Sequence, residues 1–375
     1  MQGHIRKRST DSWSVVVNMG RDPRTGKRKQ LWRTVRGTKR EAEALLVQIL
    51  HQRENGVDMA PGRVTLGEFL DKWLSSHAEP NTAPKTFIRY EQLIRVHLKP
   101  ALGGVLLAKL RPLQVQDAYN EIKAKGLSNR TVLHCHRVLR QALQHAVKWG
   151  LLARNPTDAV DAPRPKRFEV NALRPDQARL LQEAADESRY GPLVRAALTT
   201  GLRQGELLGL RWKDVELDAG VLSVRQTCQW LPGKGFVFGE PKSRKSLRAV
   251  TLPASVVDAL RRHRAAQLEE RLAAGPAYVD RDLVFADPVG RPTHISTLRK
   301  YWLALTAAIG LNGLRFHDLR HTHASLLLQQ GVHAKVVSER LGHATTAITM
   351  DIYSHVAPGL QVDAARRFDE VLANG

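Results

Sequence analysis

Residues 316–323 read Phe-His-Asp-Leu-Arg-His-Thr-His, which is the densest polar cluster of the chain. His317 and Arg320 are three residues apart and would share one face of a helix. An arginine fork with a neighbouring imidazole suits two or three oxygens of a phosphate. His317 and His321 also have the spacing of a helical zinc site, although Arg320 between them disfavours a cation. A purely structural role, with a buried histidine and a surface arginine, remains open from these residues alone.

A second stretch, residues 200–206, reads Thr-Gly-Leu-Arg-Gln-Gly-Glu. Gly201 allows a tight turn before a helix, which places Arg203 at a helix N-terminus. Free backbone N–H groups at such an end favour an anion. Glu206 lies three residues further on and could hold Arg203 in place, although an ordinary surface ion pair has the same spacing.

Two further blocks follow towards the C-terminus. Residues 341–346 read Leu-Gly-His-Ala-Thr-Thr, and residues 350–356 read Met-Asp-Ile-Tyr-Ser-His-Val. Tyr353, close to a set of arginines and histidines that includes His343, is a candidate nucleophile. A free tyrosine has a pKa of about 10, so it needs cations or a base nearby to attack at neutral pH.

The charge of the whole chain points to a polyanion. Its 375 residues include 58 Lys and Arg against 36 Asp and Glu, a net charge of +22. Nucleic acid is the first candidate partner, because phosphate contacts release counterions, and an anionic membrane surface is the second. The sequence has no P-loop, no dinucleotide-binding glycine motif and no C-x-x-C pair, so ATP-driven motors and cysteine-based zinc sites are disfavoured.

The hydropathy and the cysteine content of the sequence favour an intracellular protein. No apolar run approaches the roughly 18 residues of a membrane span. The first ten residues lack the apolar core of a signal peptide. Cys135 and Cys228 are the two cysteines, too few for a disulfide framework. We therefore expect no membrane partner and a cytoplasmic location.

The pattern of residues predicts several domains. Residues 1–58 are basic, with two predicted strands and a helix that starts at a Thr-Lys-Arg-Glu capping box. A turn is predicted at 22–26 and a first linker at 56–62. Residues 64–160 have only helical periodicity, and a second capping box, Thr-Leu-Gly-Glu, stands at 65–68. Residues 161–170 form a basic, proline-containing linker. Residues 171–375 alternate helices, predicted at 175–187, 192–200, 204–210, 254–273, 294–309, 318–330, 334–341 and 360–372, with short strands near 221–227, 235–240 and 247–252. The expected fold is multidomain and mainly α with α+β parts: a small β-sheet with one helix, an all-helical domain and a mixed α/β domain.

In their order and separations, these four blocks resemble the tyrosine recombinase, or phage integrase, family. The match covers residues 171–375, and residues 64–160 resemble the family's core-type DNA-binding domain. Residues 1–58 resemble the arm-type DNA-binding domain of integrases from phages and conjugative transposons. The resemblance implies a catalytic domain of the tyrosine recombinase type, preceded by two domains that bind DNA.

The resemblance also implies a role for each block. Tyr353 matches the nucleophile that forms a 3′-phosphotyrosyl link and expels a 5′-hydroxyl, and Glu206 matches the acid that steadies the first arginine and the histidine. The scissile phosphate would be held by Arg203, His317, Arg320 and His343. No metal or other cofactor is implied, because guanidinium groups can stabilise the charge that grows on the phosphate. No ATP is implied either, because the covalent link keeps the free energy of the phosphodiester.

The family's general acid is a lysine in a β-hairpin, and here the match is less definite. Lys242, in Glu-Pro-Lys-Ser-Arg-Lys-Ser at 240–246, fits best. Lys245 is a neighbouring rival and Lys234 a weaker one.

The resemblance predicts a site-specific DNA recombinase that integrates or excises a phage or another mobile element. The implied partners are double-stranded DNA at core and arm sites, a homotetramer on that DNA, and accessory DNA-bending and directionality proteins. The implied location is the bacterial cytoplasm, associated with the nucleoid when DNA is bound. The alternatives are a type IB topoisomerase-like enzyme, a non-catalytic DNA-binding regulator, and a metal-dependent nuclease or transposase.

Overall fold

The computed structural model describes residues 3–9, 11–21, 28–54, 63–166, 171–241, 244–353 and 360–373. The chain divides into two compact units, residues 1–167 and 168–375. The finer limits predicted above, at 1–58, 64–160 and 171–375 with a linker at 161–170, stay predictions.

The N-terminal sheet is an antiparallel meander of three strands with one helix on one face. Its core contains Val15, Val17 and Ala42, packed with aliphatic side chains and one tryptophan. The predicted turn at 22–26 and the first predicted linker, 56–62, lie outside the described residues. The capping box is confirmed, because Thr38 donates its backbone N–H to Glu41 Oε2 at 2.8 Å. The elements are β1 (Gly3–Ser9), β2 (Ser12–Arg21), β3 (Arg28–Arg36) and α1 (Lys39–Glu54).

Beyond the N-terminal sheet and its helix, the secondary structure of the first unit over residues 63–166 is helical. At 74–78 and 94–98 the helices widen by one residue per turn, so that the N–H of Glu79 bonds to the carbonyl of Leu74. The second capping box is confirmed by the bonds between Thr65 and Glu68. Trp73 is among the fully buried side chains of this core. The helices are α2 (Leu66–Trp73), α3 (Glu79–Asn81), α4 (Pro84–Leu93), α5 (Lys99–Leu102), α6 (Pro112–Ala124) and α7 (Asn129–Lys148).

The second unit begins with three helices and two small sheets. The first two helices were predicted at 175–187 and 192–200, close to their observed bounds. The strand predicted at 221–227 is wrong in extent: it ends at Val224, and a separate hairpin begins at Thr227. The elements are α8 (Pro175–Asp186), α9 (Gly191–Thr200), α10 (Gln204–Leu208), β4 (Val215–Glu216), β5 (Val221–Val224), β6 (Thr227–Leu231), β7 (Gly235–Gly239) and β8 (Arg248–Thr251).

Both sheets of this unit are antiparallel. The first has the order β4-β5-β8, and β6 with β7 forms the hairpin. Leu222 of β5 and Val250 of β8 are partners in the ladder, and both are buried in the main core. The long connection from β5 to β8, which contains the hairpin, therefore starts and ends at neighbouring points, because Val224 and Arg248 are partners in the ladder.

Helices make up the remainder of the unit. The helix over 346–353 was not predicted, because its run of Thr, Ile and Met has no helical stripe. The sequence predicted the other five to within a few residues. They are α11 (Ala254–Ala274), α12 (Ile295–Ala308), α13 (Asp318–Gln329), α14 (Ala334–Leu341), α15 (Thr346–Tyr353) and α16 (Leu360–Ala373).

Two helices of the second unit end in the same way. α9 is followed by Gly201 with φ of 64°, and α14 by Gly342 with φ of 66°. Glycine is the usual residue in this left-handed conformation, which stops a helix and turns the chain sharply. A Cβ atom on Gly201 would lie 2.6 Å from Leu341 Cδ2 and 2.8 Å from His323 Cδ2. The two helix ends are therefore in close contact.

We predict that Gly201→Ala destabilises the chain more than Gly310→Ala. Gly310 has φ of 73° and nothing within 4 Å of an added Cβ, so alanine there has only the strain of the left-handed backbone, about 1–2 kcal/mol. At Gly201 the added atom also overpacks the junction, which costs about 1–3 kcal/mol more. Urea unfolding of the two variants measures the difference, and equal losses would contradict this packing.

Candidate active site

The candidate site forms where the C-terminal ends of α9 and α14 meet. Arg320, in the first turn of α13, is only 4% exposed. Its Nη1 donates to the carbonyl of Gly201 and its Nη2 to the carbonyl of Leu341, both at 2.7 Å. The last carbonyls of a helix have no partner within the helix and carry a partial negative charge. One arginine thus joins both helix ends.

Arg203 approaches the same point from the start of α10. Its Nη1 lies 2.7 Å from Glu206 Oε1, and its Nη2 donates to the carbonyl of Gly342 at 3.3 Å. The contact expected between Arg203 and Glu206 is therefore present. Glu206 is 2% exposed, and its Oε2 accepts the backbone N–H of Arg203 at 3.0 Å.

Arg248 at the start of β8 is a member of the cluster that the sequence did not reveal. Its Nη2 donates to Glu206 Oε2 at 2.9 Å, and its Nε to the carbonyl of Arg340 at 2.7 Å. Burial alone would raise the pKa of Glu206, but the hydrogen bonds and charges of Arg248 and Arg203 outweigh it and lower that pKa. Glu206 is consequently ionised, and two arginines share its charge.

His343 lies just after the left-handed turn at Gly342. Its Nδ1 is 2.8 Å from Thr349 Oγ1 of α15. Burial, and then the positive charges of Arg320, Arg203 and Arg248, lower the pKa of His343 to about 3. The imidazole is therefore neutral at physiological pH and can offer one N–H to an oxygen.

His317 immediately precedes α13 and has an exposed edge. Loss of water around its ring, and then the charge of Arg320, lower its pKa. The ring centroids of His317 and His321 are 5.2 Å apart and the rings are nearly perpendicular. The next residue, Asp318, is buried and accepts the backbone N–H of Arg315 at 2.8 Å, which fixes the start of the helix.

The three candidate lysines and the candidate nucleophile come from the β5–β8 connection and from α15. Lys242 lies outside the described residues. Lys245 extends its amino group to the carbonyl of Ala344, next to His343, at 2.6 Å. Lys234 lies in the turn between β6 and β7. Tyr353 is the last residue of α15, and its side chain is outside the described part.

The arrangement suits a phosphate better than a metal ion. In the described ranges, no group of three or more His, Cys, Asp and Glu side chains is placed to hold a metal. Arg203, Arg320 and His343 instead meet around two helix ends, with donors that can face an anion. No helix among the described residues is long and apolar enough to cross a membrane.

Comparison with known proteins places this chain in one class. Residues 171–359 match the model of the phage integrase family, and residues 65–123 match the family's N-terminal SAM-like domain. A tyrosine recombinase XerC-like protein of Caldanaerobacter subterraneus is 32% identical over 97% of both chains. The ICEBs1 integrase of Bacillus subtilis is 28% identical over 98% of this chain and all of its own.

Solved structures show the same fold. The Tn1549 transposon integrase in complex with a circular intermediate DNA has a TM-score of 0.70 at 22% identity, covering 82% of this chain and 99% of its own. A lambda integrase tetramer bound to a Holliday junction has a TM-score of 0.58 at 20% identity, covering 93% and 94%. The chain belongs to the phage integrase family of tyrosine-type site-specific recombinases. The predicted family and fold class are confirmed.

We predict that the second unit loses stability as the pH falls from about 6.5 towards 4. Burial is the main cause that lowers the pKa of His321 to about 4 and of His323 to about 3. Between these values and 6.5 the unfolded chain binds protons that the folded chain does not, so each histidine removes up to about 1.4 kcal/mol of stability per pH unit.

Urea unfolding at about pH 7 and pH 5 measures this dependence. His323→Phe removes one titrating group. The free energy of unfolding of this variant should therefore change less with pH, by up to about 1.4 kcal/mol per pH unit. An identical pH dependence in this variant and the unaltered protein would contradict the assignment.

Proposed function

We propose that this recombinase cleaves and rejoins DNA through a covalent bond to Tyr353, and thereby integrates or excises a mobile element. The observation that carries the proposal is the meeting of Arg203, Arg320 and His343 at the ends of α9 and α14. Tyr353 ends the helix that contacts His343 through Thr349. The nucleophile and the phosphate-binding groups thus come from adjoining elements.

In the proposed step, the phenol of Tyr353 releases its proton to solvent as its oxygen attacks the scissile phosphorus. A bond from phosphorus to tyrosine forms, the bond from phosphorus to the 5′-oxygen breaks, and negative charge grows on the non-bridging oxygens. Preorganised guanidinium and imidazole N–H groups stabilise that charge, and loss of one such donor typically lowers a rate by about 10²–10³. His317 would complete this set from the start of α13, and Glu206 would orient Arg203.

The departing 5′-oxygen needs a proton, and we propose that Lys242 is the general acid that donates it. Lys245 is the less suitable donor because its amino group is bonded to the carbonyl of Ala344. That contact suits a lysine that holds the His343 turn in place. A 5′-hydroxyl from a partner strand then attacks the phosphotyrosine and releases Tyr353, so the reaction consumes no ATP.

The partners proposed for this chain follow from its family and charge. We propose that it binds double-stranded DNA at core sites and assembles as a homotetramer on two duplexes, with accessory DNA-bending and directionality proteins. The solved integrase complexes with DNA and the net charge of +22 support this proposal. The proposed location is the bacterial cytoplasm, on the nucleoid.

The N-terminal sheet is proposed as the second, arm-type DNA contact. Side chains on the face away from α1 alternate with the core residues. That face includes Arg6 and Thr34, which are the partners of Ser14 in the two ladders, and Arg36, which is the partner of Ser12. Trp32 on the same face is 57% exposed. Cations and polar groups around an exposed aromatic ring fit a nucleic-acid surface better than a protein core.

We predict that a nicked suicide substrate carrying the attachment site traps a denaturation-resistant protein–DNA adduct in the presence of EDTA. The nick lets the short 5′-ended fragment diffuse away, so the covalent complex accumulates. Tyr353→Phe lacks the attacking oxygen and should form no adduct, while Tyr278→Phe, which alters a tyrosine beside Arg271, is the matched control.

Each alternative has its own outcome in this assay. If the chain were a DNA-binding regulator, the unaltered protein would form no adduct. If it were a metal-dependent nuclease, it would not cleave DNA in EDTA. A type IB topoisomerase-like enzyme would form the adduct without preference for one site. If Tyr353→Phe still formed the adduct, the assignment of Tyr353 as the nucleophile would be overturned.

We predict that Lys242→Ala cleaves slowly and is rescued by a substrate with sulfur at the 5′-bridging position. A thiolate leaves without a general acid, so the variant should cleave the sulfur substrate at nearly the unaltered rate. Lys245→Ala should show no such selective rescue, because its loss affects both substrates alike. The two cleavage rates are measured under single-turnover conditions, and the reverse pattern would assign the acid to Lys245.

A further inference from the structure

A second set of contacts lies behind the phosphate-binding groups, centred on Arg340 in the last turn of α14. Its Nη2 donates to the carbonyl of Thr199 in α9 at 3.2 Å and to the carbonyl of Thr251 in β8 at 3.0 Å. Its Nε lies 3.3 Å from His323 Nε2 of α13. One guanidinium therefore links four elements of the second unit.

The partner, His323, is 7% exposed and its protonation state follows from its neighbours. Nδ1 is 3.0 Å from the carbonyl of Leu198, which can only accept, so Nδ1 carries the hydrogen. Nε2 faces the N–H of Arg340, which can only donate, so Nε2 is an unprotonated acceptor. A doubly protonated ring could not make the second contact.

The four linked elements are the ones that carry the site. α9 leads through Gly201 to Arg203, α13 carries Arg320, and α14 leads through Gly342 to His343. β8 carries Arg248, whose Nε binds the carbonyl of Arg340 itself. Any shift of α14 against α9 would therefore change the distance between Arg203 and His343.

We propose that His323 and Arg340 act as a positioning pair that fixes Arg203 and His343 relative to each other for strand cleavage. The inference rests on the proposed function and adds two residues to it. Neither is assigned contact with the phosphate; they act through the ends of α9 and α14. Misplacement of reacting groups by about 1 Å can cost roughly 100-fold in rate. The pair should therefore affect cleavage far more than DNA affinity.

The test is single-turnover cleavage of the suicide substrate at saturating protein, with affinity measured separately on an uncleaved duplex. Arg340→Met keeps the length of the side chain and removes every donor. We expect its cleavage rate to fall by about 100-fold, with the dissociation constant changed less than about 3-fold. A cleavage rate equal to that of the unaltered protein would overturn the proposal.

Arg189→Met is the matched control for stability. Arg189 is also partly buried and donates to a carbonyl, that of Ala286 at 2.7 Å, and it pairs with Glu270. Both variants are assayed at the same interval below their unfolding temperatures. The control should cleave within about 3-fold of the unaltered rate. If Arg340→Met and Arg189→Met lost the same fraction of the cleavage rate, the role of Arg340 would be structural only, and the proposal that it positions Arg203 and His343 would be overturned.

Substitutions at His323 separate the contact from the shape of the ring. His323→Gln keeps an acceptor for Arg340, whereas His323→Phe keeps a ring without either nitrogen. We expect the glutamine variant to retain most of the cleavage rate. The phenylalanine variant should cleave slowly, but no more slowly than Arg340→Met, because Arg340 keeps its bonds to the carbonyls of Thr199 and Thr251.

The double variant His323→Phe/Arg340→Met should cleave no more slowly than Arg340→Met alone, because that substitution already removes the contact with His323. If the fold-reductions in cleavage rate of the two single variants multiplied in the double variant, the proposal that the two residues act as a pair would be overturned. An unaltered chain that forms no adduct at all would instead refute the proposed function.

Discussion

The unsatisfied carbonyls at the ends of α9 and α14 are the constraint on which the second unit depends. A helix leaves its last carbonyls without partners, and burying them unpaired is costly. Here the two ends meet, and Arg320, Arg203 and Arg340 donate to carbonyls of both. The need to satisfy backbone polarity thus gathers cations at one point before any substrate is present.

Carbonyl partners have an electrostatic advantage over carboxylates. A carboxylate would cancel a full positive charge, whereas a helix end carries only about half a negative charge. Arg203 and Arg248 share the one carboxylate of Glu206, and carbonyls hold the rest of the cluster in place. The arginines are fixed but keep positive charge for a phosphate. The arginines are preorganised, so the reaction needs little rearrangement of the protein.

Local signals in the sequence predicted much of this molecule. The capping boxes at Thr38 and Thr65, and the four motif blocks, depend on residues close together in the chain. Arg248, His323 and Arg340 were missed because their partners lie far away in sequence: Arg340 and Thr199 are 141 residues apart. The helix at 346–353 was missed because tertiary contacts, such as that between His343 and Thr349, override its weak periodicity.

The use of main-chain partners affects how the sequence can drift. Leu198, Thr199, Leu341 and Thr251 each present a carbonyl to the cluster. A carbonyl stays in place when its side chain changes, provided that the backbone keeps its path. Those positions can therefore exchange side chains of similar shape without altering the bonds that hold the arginines, whereas Gly201 and Gly342 set that path and cannot be exchanged. A lineage can diverge widely around such a site while its geometry persists.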